Sequence, residues 1–371
     1  LGLVGSEMCI RDSDINLYYI CYNRENNFNK EFKIMKNNII AFLLLFVLLL
    51  FGCSIDESAN TIENENNLSS NIKQEDTHSE IKNDESGIPD ENLYNALLKN
   101  AGTDKLYFDS LKDLKDLSLN SSKINDLTGI DKLDLNNVTN ALLYGNNLKI
   151  IEKNHFSNMK NVESLIISNN DLEKFDTGIL NKLTILDLAN NNKLKLLSNC
   201  NLQNYPDIEE LYIGRCIKEP VVAFPSMPNL KILFAHGIGM ELINKNTFAK
   251  LPNIEVLVLL DNEISDIKAG SFDALSNLQR LHLANNKISD LTEVFDNTNS
   301  IITITLNKNN LTSLPDMKHM TNLMWEYGKI HEYGQTRFNE NSIPEDEFRN
   351  KLPAQLLDDE ELLKEQIESQ I

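Results

Sequence analysis

The pattern LxxLxLxxNxL begins at Leu114 and returns at Val138, Val162, Leu183, Ile208, Leu230, Ile254, Leu278 and Ile301, with a decayed copy at Leu323. A period in this range marks a stacked-repeat architecture, because one repeat cannot bury its own apolar face and neighbours must share a core. Within each LxL, alternate side chains of a short strand point to opposite faces, so the leucines turn inward and the residue between them faces out. Stacking sets these strands side by side in one parallel sheet at about 4.8 Å spacing, and nine of them predict a curved array roughly 40 Å long. The fixed Asn falls where the strand ends and the chain bends, and its carboxamide can satisfy backbone groups inside the turn. Asn146, Asn170, Asn191, Asn262, Asn286 and Asn309 hold this position and are read as a structural ladder. Ser122, Cys216 and Ile238 depart from it, and Ile238, which cannot hydrogen-bond, predicts a distorted sixth turn.

Leu278, Leu281, Leu283, Asn286, Ile288 and Leu291 resemble the leucine-rich-repeat consensus at every position, as do Ile254, Leu257, Leu259, Asn262, Ile264 and Ile267. The resemblance covers residues 88 to about 325, and its entry segment, IPDENLYNALLKN followed by LKDLKDLSLNSSKINDLTGIDKL, is similar to that of bacterial internalin-like secreted proteins. It implies an α/β leucine-rich-repeat solenoid: a parallel sheet on the concave face, an irregular, 3₁₀ or short-helical convex side, and a helical N-terminal cap. A cap is needed because the end of a solenoid exposes its core. Residues 88–113 fit that part, with Leu93, Leu97 and Leu98 on one helical face after Pro89 and Asp90. The repeats occupy 114–325, and 326–371 reads as a C-terminal cap with an acidic helical tail. Trp325, Tyr327, Tyr333 and Phe338 are available to plug that end, and the segment LLDDEELLKEQIESQI predicts a helix packed back onto it. Phe156, Phe248, Phe272 and Phe295 recur on the return path; by resemblance to the extracellular repeat class they fill the interior.

The segment from Met35 to Ser54, MKNNIIAFLLLFVLLLFGCS, carries thirteen apolar residues from Ile39 to Phe51. That run is too short to span a bilayer, which needs about 20, and fits the apolar region of an export signal, roughly 7 to 15. Leu50, Phe51, Gly52 and Cys53 resemble the lipobox of bacterial lipoproteins. The resemblance implies a signal peptide over 35–52, a covalent diacylglycerol or acyl lipid on Cys53 as the only bound group with no other cofactor, and a lipid-anchored place in the cell envelope, at the outer membrane or cell surface. Residues 1–34 resemble translated sequencing adaptor followed by upstream DNA, so the fold is read from Cys53 onward. Residues 53–87, rich in Asn, Ser, Glu and Asp, bury too little apolar surface to order themselves and read as an acidic tether.

A formal charge of −20 repels a phosphate backbone, so nucleic acid is an unexpected partner. The cysteines at 9, 21, 53, 200 and 216 have no CxxC spacing, and none of the patterns GxSxG, HExxH, GxGxxG or a P-loop occurs, so neither enzyme chemistry nor a metal is expected. His236 and His282 share the concave face with Asp261 in the repeat between them, a sparse set for a metal. The outward positions of that face are not needed by the core. There Leu142, Tyr144, Ile166, Tyr212, Phe234, His236, Val258, Leu260 and His282 predict an exposed apolar and aromatic stripe, the kind of surface that binds a protein or peptide. An alternative role is a structural component of the envelope acting through the tether and C-terminal helix.

Overall fold

The computed structural model describes residues 79–195, 200–216, 221–325 and 335–370. The expectations for residues 1–34, the signal over 35–52, Cys53 and the tether up to residue 78 lie outside the described residues. The last part of the expected tether, 79–87, is instead ordered: Ile81 bridges Leu106 as an antiparallel neighbour, its N–H donating to Leu106 O at 2.7 Å, and Ile88 N donates to Lys82 O at 2.8 Å.

Nine three-residue strands form one wholly parallel sheet: β1 (Asp116–Ser118), β2 (Asn140–Leu142), β4 (Ser164–Ile166), β6 (Ile185–Asp187), β7 (Glu210–Tyr212), β8 (Ile232–Phe234), β10 (Val256–Val258), β12 (Arg280–His282) and β13 (Thr303–Thr305). Register is set by the repeat itself, with Leu117 beside Ala141, Leu257 beside Leu281 and Leu281 beside Ile304. On the return path two short pairs form, β3 (Ile150–Ile151) with β5 (Lys174–Phe175) and β9 (Leu242–Ile243) with β11 (Asp266–Ile267). Among the described residues the remainder of that side is turns, an isolated bridge between Phe175 and Cys200, and single 3₁₀ segments such as Lys153–Phe156. This is the leucine-rich-repeat solenoid that the pattern predicts.

The curvature has a visible cause. Phe224, Phe248, Phe272 and Phe295 stack face to face on the return side, with successive ring centroids 5.7, 6.3 and 6.0 Å apart and planes within 15° of parallel. Strands in the sheet repeat at about 4.8 Å. Where the rings stack, the return side is therefore wider per repeat than the strand side, which sets the sheet on the inside of the arc. Phe156, Phe248, Phe272 and Phe295 are all buried, and Phe224, 24 residues before Phe248 and not among the four singled out in the sequence, joins them.

Each turn after a strand is built alike. The residue before the ladder position takes a left-handed backbone in all ten turns, from Ser121 (φ 51°) to Glu340 (φ 57°), and only Gly145 and Gly237 are glycine there. Side chains in that region are strained, so the ladder has a fixed cost to offset. Asn146 donates through Nδ2 to Leu119 O and Leu143 O, both at 2.9 Å, and accepts at Oδ1 from Ile124 N at 3.1 Å. Asn170, Asn191, Asn262, Asn286 and Asn309 repeat this three-way link. At the fifth turn Cys216 Sγ donates to Leu188 O at 3.5 Å, supplying one of the carboxamide's bonds. The sixth turn corrects the expectation of distortion. Gly237 holds φ at 62°, its N–H reaches Leu260 O at 3.0 Å, and Ile238 packs into the core. A glycine one position earlier removes the strain that the missing amide would have had to offset.

A tenth turn is also present. Asn341 donates to Leu306 O and Phe338 O at 2.9 and 2.8 Å and accepts from Leu311 N at 3.1 Å, and Arg337 bridges Thr305 as a parallel neighbour. In the other repeats the first core residue precedes the strand's central core residue by three positions, as Ile301 precedes Ile304. Here Leu323 precedes Thr336 by thirteen, so an insertion splits the motif that fades after Leu323.

Both ends are covered. At the start, helix α1 (Glu91–Ala101) is capped by Asp90, whose Oδ1 accepts from Leu93 N at 2.9 Å, and it ends at left-handed Gly102. Leu93 and Leu97 are fully buried and Leu98 packs at the margin of the core. At the far end, α2 (Glu345–Lys351), α3 (Ala354–Leu357) and α4 (Glu360–Glu368) bury Phe348, Leu356 and Leu363. Trp325 and Phe348 meet Phe338 edge-on at 6.1 and 5.9 Å. Tyr327 and Tyr333 lie outside the described residues.

Candidate functional site: the concave face

The sheet presents three outward columns: the first residue of each strand, the third residue, and the residue two further on. The third-residue column is where the sequence predicted an exposed stripe, and the structure corrects that. Ile166, Tyr212, Phe234, Val258 and His282 are buried, His282 at 1% exposure and Val258 at 0%, whereas Leu142, Tyr144, His236 and Leu260 are half-buried. The reason is geometric. Side chains on the inside of an arc converge, and bulky residues at one position in consecutive repeats cover each other. Tyr212 and Phe234 stack with centroids 4.8 Å apart, about one strand spacing. Residues of the same strand also fold over: the Tyr212 hydroxyl donates to Glu210 Oε2 at 3.0 Å. His282 Nδ1 lies 3.3 Å from Thr305 Oγ1.

None of these five belongs to the continuous core between sheet and return path. Ile166, Tyr212, Phe234 and Val258 form a second apolar layer on the concave side, and the buried imidazole of His282 continues the column. Asp187 interrupts it as a buried carboxylate, accepting from Ser168 Oγ at 2.7 Å and from Ala189 N at 2.9 Å. What a partner can reach is the material beside this layer: Ile185, Ile232 and Val256 in the first column, and Ala189, His236 and Leu260 in the last, all half-buried. The first-column residues are not marked in the sequence, because the motif singles out as outward only the residue between the two core leucines.

His236 lies across the backbone of the preceding strand. A methyl group on Gly214 would overlap its imidazole, so glycine there makes room for the ring. Burial, reinforced by the Arg215 charge and opposed by Asp261, pushes the imidazole down to about 4. It is a neutral ring at neutral pH. His282, in a different column, does not converge with it, and among the described residues no group of three His, Cys, Asp or Glu side chains could hold a metal ion. Cys200 and Cys216 are buried free thiols; burial raises Cys216 to about 12, which leaves little thiolate for chemistry.

A shallow polar hollow of about 200 Å³ lies at the rim where the strands begin, lined by Glu209, Asn229, Lys231, Asn253, Glu255 and Asn277. Its asparagines form a second ladder that the sequence reading missed: Asn229 donates to Pro206 O at 3.2 Å, Asn253 to Pro228 O at 2.7 Å and Asn277 to Asn253 Oδ1 at 3.1 Å. The recurrence of Asn immediately before the first leucine of the motif is the signal that could have revealed it. Lys231 pairs with Glu209 at 2.8 Å, and burial raises the neighbouring Glu210 carboxyl.

The C-terminal helix was expected to fold back or to serve as a free contact element. Its apolar face is occupied by its own chain, with Leu363 and Gln366 buried. Among the described residues no helix is long and apolar enough to cross a membrane.

Residues 114–231 match the BspA type leucine rich repeat region, a model of six copies, and residues 228–288 match the leucine rich repeat family. No curated protein matches the chain. Among solved structures, a leucine-rich-repeat protein of Leptospira interrogans is 24% identical with a TM-score of 0.52, over 65% of this chain and 58% of that one. This chain thus spans little more than half of that protein. An internalin of Listeria monocytogenes, InlF, is 18% identical with a TM-score of 0.50, over 70% of this chain and 85% of its own. Internalin C2 of the same organism is 22% identical with a TM-score of 0.49, over 59% and 94%. At such identities the likeness to the first two is one of backbone. Together with the repeat matches and the parallel sheet, it establishes the fold of this chain as a leucine-rich-repeat solenoid.

Proposed function

We propose that this chain is a protein-binding module of the bacterial envelope, exported and held by a lipid on Cys53, which recognises a protein or peptide through its concave face. The observation that carries the reading is the second apolar layer. Tyr212, Phe234 and Val258 are apolar groups that lie outside the continuous core between sheet and return path, and Ile185, Ile232, Val256 and Leu260 remain partly accessible beside them. Apolar surface gathered on one concave face of a folded domain, with aromatic groups set rigidly within it, is what a binding hot spot requires. Recognition and not catalysis is the role this supports.

The test is selection of binders from a displayed peptide library, followed by comparison of the protein with an Ile232→Ser, Val256→Ser double variant and with Ile179→Ser on an exposed site of the return path. Binders are expected to lose at least about tenfold in affinity for the double variant, the loss of roughly 1.4 kcal/mol that one anchor contributes, and to be indifferent to Ile179→Ser. Binders equally indifferent to both would remove the concave face from consideration. For the anchor, labelled fatty acid should enter the protein in cells and fail to enter Cys53→Ser; labelling that persists in the variant would refute it.

A further inference from the structure

Each interior strand uses the same groups to hold the next. Leu119 N donates to Leu142 O at 2.8 Å, Ser121 N to Tyr144 O at 2.8 Å, and the ladder amide of the following turn reaches back to Leu119 O and Ile124 N. At the tenth turn no strand follows, and the same groups are met by the C-terminal helix segment. Phe338 N donates to Gln366 Oε1 at 2.9 Å, where Leu119 N would find a strand carbonyl. Glu340 N donates to Ser369 O at 2.9 Å, in the manner of Ser121 to Tyr144. Gln370 Nε2 donates to Phe338 O at 3.2 Å and its Oε1 accepts from Ile343 N at 3.3 Å, the two bonds that Asn146 makes to Leu119 O and Ile124 N. Residues 366–370 reproduce, from a helix, the hydrogen bonds of an eleventh turn.

The other edge is closed in the same currency. In the interior the third strand residue turns its carbonyl toward the preceding repeat, as Leu142 and Ile166 do toward Leu119 and Leu143. Ser118 has no preceding strand. The Asn100 carboxamide of α1 takes that place, its Oδ1 accepting from Ser118 N at 2.9 Å and its Nδ2 donating to Ser118 O at 2.8 Å.

We propose that Asn100, Gln366 and Gln370 close the two edges of the sheet against a second copy of this chain. The two edges belong to one parallel arrangement of a single repeat geometry, so the first strand of one copy is shaped to follow the tenth turn of another, whose Arg337 already bridges Thr305 as a parallel neighbour. Such a contact is head to tail and does not close on itself, and unpaired strand edges are templates for it. The carboxamides remove the template by occupying the edge donors and acceptors, and they hold the cap helices in the register that covers the core.

The experiment uses the full chain with Asn100→Ala at one end and Gln366→Ala with Gln370→Ala at the other, measured by sedimentation and by hydrogen exchange. Each single-end variant keeps one closed edge and should remain a monomer. Mixed, they should form a one-to-one pair, and the triple variant should grow into longer chains with rising concentration. Exchange of the Ser118 and Phe338 amides should quicken at least about tenfold in the matching variants. A triple variant that stays monomeric overturns the proposal. If its edge amides exchange fast, open edges do not recruit a copy; if they stay protected, the carboxamides are not what closes them. Single-end variants that associate as readily alone as mixed also overturn it, since that reports unspecific exposure of core.

Discussion

The ladder predicts a graded and non-additive response to loss of single asparagines. Asn286→Ala removes donors to Leu259 O and Leu283 O, but Leu259 O still accepts from Asn262 and Leu283 O from Asn309. Only Ile264 N, which donates to Asn286 Oδ1 at 3.1 Å, loses its ladder partner. One orphaned buried amide costs about 1–3 kcal/mol and each lost second bond about 0.5–1.5, so Asn286→Ala should destabilise by roughly 2–6 kcal/mol. Asn262→Ala differs at one point. Ala235 O accepts from Asn262 at 2.9 Å, and its own turn offers Ile238 in place of an amide, so that carbonyl is left without a ladder donor. The variant should therefore cost about 1–2 kcal/mol more than Asn286→Ala. Combining the two orphans Leu259 O, which neither single change does, and the pair should exceed the sum of its parts by a further 1–2 kcal/mol or so. Asn170→Ala with Asn286→Ala shares no carbonyl and should be additive within about 0.5 kcal/mol. Urea unfolding followed by circular dichroism measures all five variants. Equal costs for Asn262→Ala and Asn286→Ala, or additivity in the adjacent pair, would refute the shared-carbonyl account.

Phe272 is buried between Phe248 and Phe295, so Phe272→Ala should cost about 3–5 kcal/mol in thermal or urea unfolding; a loss below about 1 would mean that the stack is not part of what holds the array. Gly214→Ala forces the His236 ring off the backbone it covers and should destabilise by about 1–3 kcal/mol, and His236→Ala added to it should recover most of that loss; no recovery would place the strain elsewhere. His236 is held down to about 4 from a free value of 6.5. Its folded value lies below its unfolded one, so its contribution is complete above about pH 6.5 and falls away as the pH drops toward 4, by up to about 3 kcal/mol. His236→Gln should flatten that interval of the stability curve, and an unchanged slope would refute the assignment.

Much of the architecture was legible because each inward leucine is repeated in one role, and nine partial matches outweigh any single departure. Two features were hidden for definite reasons. Asn341 closes a turn of the same kind as Asn309, but the insertion between Leu323 and Thr336 separates it from the residues that would have announced it. Ile238 looked like a broken turn because the ladder position was read without its neighbour; Gly237, one residue earlier, carries the left-handed backbone at little cost. The concave column misled in a third way. Whether Tyr212 is exposed depends on what stands at the same position one repeat on, and Phe234 there buries it. Burial on this face belongs to columns of residues across repeats and not to residues within one.

Curvature links these observations. The phenylalanine stack sets a repeat of about 6 Å on the return side against about 4.8 Å in the sheet, and the resulting arc crowds the third-residue column until it is covered. The same crowding fixes the rotamers of Tyr212 and Phe234 before any partner arrives, so a partner meeting Ile232, Val256 and Leu260 finds a surface whose ordering entropy is already spent. A substitution that shrinks the stack should therefore weaken binding at the concave face even though it touches no residue there, whereas one that shrinks the ladder should destabilise the array without altering the affinity of the molecules that remain folded. Phe248→Leu and Asn309→Ala, compared by affinity per folded molecule for the same selected peptide, separate the two; equal affinities would show that the curvature set by the stack has no part in recognition.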